Sequence, residues 1–380
     1  ALSHAMGVLS YDSETAMPKN GAPHMAETMA ILSEESYKLQ VNDEVRGLLN
    51  KLNANSESLD EITRREVEEE LKQLKKLENV PIEEYAAYSR LISEASVKWR
   101  EAKQTNDYPL FKPYLERIIA AQKSLMAHMY PGKDTYDALL EEFSEGLSVE
   151  MLDPFFADVK AKLVPVIHAV CQSGNQADDS LLHRPFPIEG QRRLSSFVMD
   201  FLGIDRDSCV IGEVEHPFTT EFNKHDVRLT THYHEDDVLS NMFSVAHEGG
   251  HCLYELNMGD ELIGSPLSGG ATMTLHESQS RLFENMICRS REFIALLYPK
   301  MKEIFPEQMQ GVSEEMLYRA ANKSMPSLIR TEADELTYPL HIMVRYEIEK
   351  KLIAGTLSVD ELPAEWNRLY KEYLGVDVPD

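Results

Sequence analysis

Positive charge is what this chain most lacks. Against 64 Asp and Glu it carries 38 Lys and Arg, a formal net charge of −26. That balance excludes a protein built to hold nucleic acid or an anionic membrane surface, because both need a basic patch for phosphate. It leaves a small or peptide substrate open, since one local arginine is enough to bind a carboxylate. Cysteine is scarce too: Cys171, Cys209, Cys252 and Cys288 are the only four in 380 residues, with no C-x-x-C pair. A disulfide-stapled scaffold is thereby excluded, and reduced thiols in a cytoplasmic protein are expected. No apolar run approaches the ~18 residues of a membrane span, and no signal-peptide pattern opens the chain. What is there, 43% hydrophobic and 27% charged residues, is an ordinary globular composition with length for two domains or one large one.

Helical patterning dominates the rest. The stretch "DEITRREVEEELKQLKKL" from Asp60 has the charge pairing of a solvent-facing helix, with Asp60 as N-cap. Pro81 suits the first turn of the next helix, where Tyr85, Tyr88, Leu91 and Ile92 fall at helical spacing. Further helices are expected over 110–129, 151–171, 191–201, 290–304, 314–323 and 339–353. The texture changes at "CVIGEVEHPFTTEFNKHDVRLTTHY", whose β-branched and aromatic runs between turn residues predict a sheet of two or three strands. The segments 173–180 and 259–268 read as loops. The expected fold is mainly α, with this one small sheet, and no sharp domain boundary is visible.

Directly after the sheet comes "SNMFSVAHEGGHCLYELNM", apolar almost all round and therefore a buried helix whose polar side chains need partners. His247 and His251 lie one turn apart on one face, a spacing that lets both imidazoles reach one ion. Glu248 sits about 100° round the helix, close to such an ion without ligating it. Gly249 and Gly250 cost roughly 1 kcal/mol each in a helix interior and open the surface to a close neighbour. Glu255 continues the i, i+4 series but is about 12 Å from His247 along the axis, too far to share an ion. A third ligand must come from another helix. "TLHESQSRLFENMICRSR" offers Glu277, with Arg281 one turn on to orient it and His276 beside it; an ordinary Glu277–Arg281 ion pair is the competing reading. Two histidines, one glutamate and an open position activate water for hydrolysis, with Glu248 passing the proton to a leaving amine.

Five stretches together resemble the carboxypeptidase Taq family of metallocarboxypeptidases: "HAMGVLSYDSETAMP", "HPFTTEF", "DVRLTT", "HEGGH" with "HESQSRLFEN", and "IRTEADELTYPLH". Their order and spacing match that family along nearly the whole chain. The resemblance implies a mostly helical, homodimeric, grooved fold that uses zinc or cobalt to remove C-terminal residues with broad specificity. It implies His247, His251 and Glu277 as ligands and Glu248 as general base and acid. Arg330 becomes the clamp on the substrate's C-terminal carboxylate, with pairing to Glu332 or Asp334 as the structural alternative. Arg228 and His216 would line the groove, with a satisfied structural role as the equal alternative for each. The family continues past "YLGVDVPD" into a Gly-x-x-Gln-Asp-x-His-Trp motif and a Tyr-rich segment that this sequence does not contain. Tyr11 stands where the family commonly has Trp. The expectation is a single catalytic domain over 1–380, truncated at both ends. A helical dipeptidyl carboxypeptidase or oligopeptidase shares H-E-x-x-H and a downstream Glu, and a catalytically silent metal-binding protein has the same ligands. The Arg330 motif favours release of single residues.

Overall fold

A computed structural model describes residues 1–379. Helices account for most of the chain: α1 (Leu2–Thr15), α2 (Ala22–Gln40), α3 (Asp43–Asn53), α4 (Glu61–Leu77), α5 (Ile82–Thr105), α6 (Tyr108–Met129) and α7 (Thr135–Phe143) come first. Then follow α8 (Val149–Gln172), α9 (Ile188–Leu202), the strands β1 (Cys209–Glu213), β2 (Thr219–Asn223) and β3 (Asp226–Thr231), and α10 (Val238–Leu256). The chain ends through α11 (Met273–Arg281), α12 (Arg291–Ile304), α13 (Glu314–Ala321), α14 (Tyr338–Ala354) and α15 (Leu362–Leu374). No helix among the described residues is long and apolar enough to cross a membrane. The four cysteines are free thiols, with only Cys171 partly exposed.

Contacts divide the chain into two compact units. The first comprises 1–147, 259–269 and 350–361, the second 148–258, 270–349 and 362–380. The division interleaves along the sequence, so no single linker composition marks it. In the first unit the Asp60 carboxylate caps α4 by accepting from the Thr63 amide at 3.0 Å. Val80, Leu125, Met126 and Ala138 form a small core against which Tyr85 and Tyr88 pack. The Tyr37 hydroxyl donates to the Val80 carbonyl at 2.6 Å and so ties α2 to the turn before α5. Leu91 is buried on the expected face of α5, whereas Ile92 is 38% exposed at its margin.

The second unit holds the main core. Leu194, Val198 and Met199 of α9, Val227 and Leu229 of β3, and Met242, Val245, Ala246 and Cys252 of α10 are all inaccessible to solvent. Each of the leucines, valines and methionines among them contributes about 1.5–3 kcal/mol relative to an exposed position. The sheet order is β1-β3-β2, with β2 antiparallel and β1 parallel to β3. A parallel pairing cannot be closed by a tight turn, so β1 reaches β3 only because β2 crosses over between them in sequence. Phe218 locks that crossover: its amide and carbonyl both bond the Thr230 hydroxyl at 2.8 Å.

α10 sits centrally here, packed on α9, β3 and α11, which is why its sequence is apolar nearly all round. The two glycines meet different neighbours. A Cβ on Gly249 would lie 2.4 Å from the Leu202 Cδ1 methyl, whereas one on Gly250 would lie 2.6 Å from the Ser280 Cα and 2.7 Å from the Gln279 carbonyl oxygen. The first obstacle is a side-chain tip that can swing away; the second is main chain. Gly250→Ala is therefore expected to lower stability by about 1–3 kcal/mol despite the better helix propensity of alanine. Gly249→Ala is expected to stay within about 1 kcal/mol of the parent. Thermal or urea unfolding of the two variants side by side measures the contrast.

Candidate metal centre

Three side chains from two helices converge. Ligating atoms of His247, His251 and Glu277 all lie within 4.8 Å of one another. The α10 spacing aims both rings the same way, 5.0 Å apart between centroids, and each Nε2 faces the same Glu277 oxygen, His247 at 3.5 Å and His251 at 3.3 Å. Glu277 arrives on α11, whose N-terminus is capped by the Thr272 hydroxyl accepting from the Leu275 amide at 3.1 Å.

Each ring nitrogen pointing away from this cluster is also engaged. His247 Nδ1 bonds the Glu284 carboxylate at 2.8 Å, a group only 5% exposed. His251 Nδ1 lies 2.6 Å from His276 Nδ1, and His276 Nε2 lies 2.6 Å from Glu255 Oε1. In the tautomer in which each Nδ1 of the cluster pair donates backward, both Nε2 atoms are the ones free to turn a lone pair toward an ion beside Glu277; without an ion, the Nε2 of His247 bears a proton toward that carboxylate. Two imidazole nitrogens and a carboxylate, pre-oriented by buried acidic partners, fit a borderline divalent ion.

Electrostatics follow from that packing. Burial pushes the His247 imidazole down, but its bonds to Glu277 and Glu284 outweigh burial and hold it up at about 9. Burial raises the Glu277 carboxyl, yet the two histidines and Arg281 together keep it well below the usual carboxylate range. Glu255 holds His276 above its ordinary value against the opposing effect of burial.

Glu248 lies beside the cluster, 6% exposed, and its burial pushes its carboxyl up despite the neighbouring histidines. Thr219 on β2 anchors it: the Thr219 hydroxyl is 2.6 Å from Glu248 Oε2 and 3.0 Å from the Glu248 main-chain oxygen. A hydroxyl carries a single hydrogen, so it donates to one of these acceptors at a time. The small sheet thus positions the acid beside the histidines.

The other expected site residues divide. Arg281 donates from Nε to Glu277 Oε1 at 3.1 Å and from a terminal nitrogen to Glu284 Oε2 at 2.9 Å. The Glu277–Arg281 ion pair and the ligand cluster therefore coexist. Arg330 donates to the Tyr338 hydroxyl at 2.6 Å and forms no ion pair among the described residues; neither Glu332 nor Asp334 engages it. His216 occupies the exposed bend between β1 and β2, on the segment leading to Thr219. Arg228 is not brought to the cluster. It is held by both Asp226 oxygens, at 2.9 and 3.0 Å, with its guanidinium 4.5 Å over the Phe222 ring. Opposed residues of an antiparallel pair share a face. Thr219 opposes Leu229 and Thr220 opposes Arg228, so Arg228 occupies the side of the sheet turned away from Glu248.

Sequence reasoning missed Glu284, Thr219 and Tyr338. Glu284 had a legible signal, because it shares the Glu277–Arg281 face. The helix expected to run on through Glu284 instead changes at Arg281 into a π turn over Leu282–Ile287, which carries Glu284 to His247. Glu255 is excluded as a ligand by its distance along the helix, and it serves as the buried acceptor behind His276.

A family profile described as carboxypeptidase Taq (M32) metallopeptidase matches residues 1–380. Carboxypeptidase 1 of Bacillus subtilis is 41% identical over 374 residues, covering 98% of this chain and 75% of that protein. Thermostable carboxypeptidase 1 of Thermus thermophilus is 34% identical, covering 99% of this chain and 76% of that one. Among solved structures, the M32 carboxypeptidase of Deinococcus radiodurans superimposes with a TM-score of 0.92 at 33% identity, over 100% of this chain and 76% of that chain.

Proposed function

This chain belongs to the carboxypeptidase Taq (M32) metallopeptidase family and is a metal-dependent carboxypeptidase, and from that premise we propose how it works. It removes single residues from the free C-termini of peptides, with broad specificity. His247, His251 and Glu277 hold one divalent ion, zinc or cobalt, and their convergence within 4.8 Å is the observation that carries the reading. When bound, the ion supplies Lewis acidity toward the scissile carbonyl and the attacking water.

The protein's own groups do the rest. Glu248, held beside the cluster by Thr219, takes the proton of the attacking water. It then delivers that proton to the amine of the departing C-terminal residue. Thr219 holds the carboxylate in place through both stages. Glu284 and the His276–Glu255 pair fix the ring orientations of His247 and His251. Arg330 receives the substrate's terminal carboxylate, an assignment supported by a guanidinium with no carboxylate partner of its own among the described residues. His216 lies along the groove. Arg228 acts on the sheet, through Asp226 and Phe222, and not on the substrate. The working form is a cytoplasmic homodimer.

A mass-spectrometric time course on an N-blocked peptide with a free C-terminus, with zinc or cobalt supplied, tests this. Stepwise loss of single residues is the expected result; dipeptide steps or internal cuts would instead make the enzyme a dipeptidyl carboxypeptidase or an oligopeptidase. Arg330→Ala is expected to lower kcat/KM by about 10- to 100-fold on the free acid. It should barely alter cleavage of the same peptide carrying a C-terminal amide, and steady-state kinetics on the two substrates reads the difference.

A further inference from the structure

We propose that Tyr338 is the positioning residue that sets the clamp at a fixed reach from the metal centre, and so confines the enzyme to removing one residue at a time. The inference rests on Arg330 being the clamp. Its ground is that one rigid ring touches both machineries. The Arg281 guanidinium lies 3.6 Å above the Tyr338 ring centroid while its nitrogens hold Glu277 and Glu284. The Tyr338 hydroxyl, at the far end of the same ring, accepts the bond from Arg330 at 2.6 Å. Metal ligand, arginine, ring and second arginine thus form one continuous contact series.

The two guanidiniums on this ring differ in charge state toward their surroundings. Arg281 is neutralised by two carboxylates; Arg330 meets none among the described residues. Only Arg330 has its charge to offer, yet it sits on the irregular segment between α13 and α14, where a long side chain has several rotamers available. Tyr338 has two side-chain torsions and a fixed backbone. Its amide donates to the Asp334 carbonyl at 2.9 Å. The Asp334 carboxylate in turn gathers the segment, accepting from the Leu336 amide at 2.9 Å, the Thr337 hydroxyl at 2.7 Å and the Ser324 hydroxyl at 2.8 Å. The bond from Arg330 to the phenol is what converts a loop arginine with several rotamers open to it into a clamp at one distance. Released from it, the guanidinium reaches a carboxylate one residue farther from the scissile bond.

Tyr338→Phe keeps the ring under Arg281 and deletes the hydroxyl, so it separates the two contacts. The expected result is a KM for an N-blocked peptide acid raised about tenfold with kcat changed much less. Ion affinity should be unaltered, and dipeptide release should appear among the products. An independent readout uses calorimetric binding of an N-blocked dipeptide acid to Glu248→Gln and to Glu248→Gln/Tyr338→Phe; the second should bind about tenfold more weakly, with the corresponding amide unaffected. Tyr338→Leu, which also removes the ring, should weaken ion binding in addition. Unchanged acid-over-amide preference and single-residue products in Tyr338→Phe overturn the inference. Arg330→Ala tells the two levels apart. If it too keeps the acid preference, the clamp assignment fails; if it loses the preference while Tyr338→Phe keeps it, the positioning role alone is wrong.

Discussion

Glu248→Gln is expected to reduce kcat by about 10²- to 10⁴-fold while leaving the ion in place. The amide has the shape of the carboxylate and can still bond Thr219, whose hydroxyl donates to an oxygen or accepts from a nitrogen equally well. Neither histidine loses a partner, because Glu284, His276 and Glu277 serve them without Glu248. What disappears is the capacity to take a proton from water and return it to the departing amine. KM for a peptide acid should hold, since Arg330 is untouched. Metal content by plasma emission, together with steady-state kinetics, checks both halves: retained ion and lost turnover is the expected pair. Substantial activity in this variant would remove Glu248 from the proton path.

Glu277→Gln has the second large effect, by a different route. It removes the anionic member of the ligand set and leaves two imidazoles and an amide, a donor set much less able to hold a divalent ion. It also takes from His247 one of the two bonds that hold its ring up at about 9, and from Arg281 one of its two carboxylates. Arg281 then leans on Glu284 alone, in competition with His247 for the same oxygen. Ion affinity is expected to fall by more than the 10- to 100-fold typical of losing a supporting group, and activity with it. The fold should survive, because Glu277 is partly exposed and outside the main core. Dialysis followed by metal analysis and circular dichroism distinguishes this outcome from unfolding.

Much of this was readable beforehand, and the parts that were not have definable reasons. α10 was legible because burial on all sides writes itself as an apolar helix, so a His–Glu–His constellation inside it demanded an explanation. The Asp60 cap was legible because capping is local: the acceptor and the Thr63 amide are close in the chain. The sheet was visible in its β-branched texture, but the parallel β1–β3 pairing was not, because texture carries no information about strand direction. The π turn left no mark, since shifting a helical hydrogen bond by one residue alters no side-chain preference. Arg228 could have been placed better from sequence alone. In "DVRLTT" the apolar Val227 and Leu229 claim the core face, and strict alternation sends Arg228 to the other. The partnership of His276 with Glu255 and of Tyr338 with both arginines lay beyond reach, because each joins residues from separate elements.

The bare approach of α11 to Gly250 bears on how steadily the two helices of the cluster are held. Main-chain atoms set the gap there: the Ser280 Cα and the Gln279 carbonyl stand where a Cβ would be. A spacing fixed by backbone cannot adjust as flexible side chains do, so α10 and α11, which carry His251 and Glu277, keep one approach at this point. Adjustment to an ion is thus left to the side-chain torsions of His251 and Glu277, with the helix pair as a fixed frame.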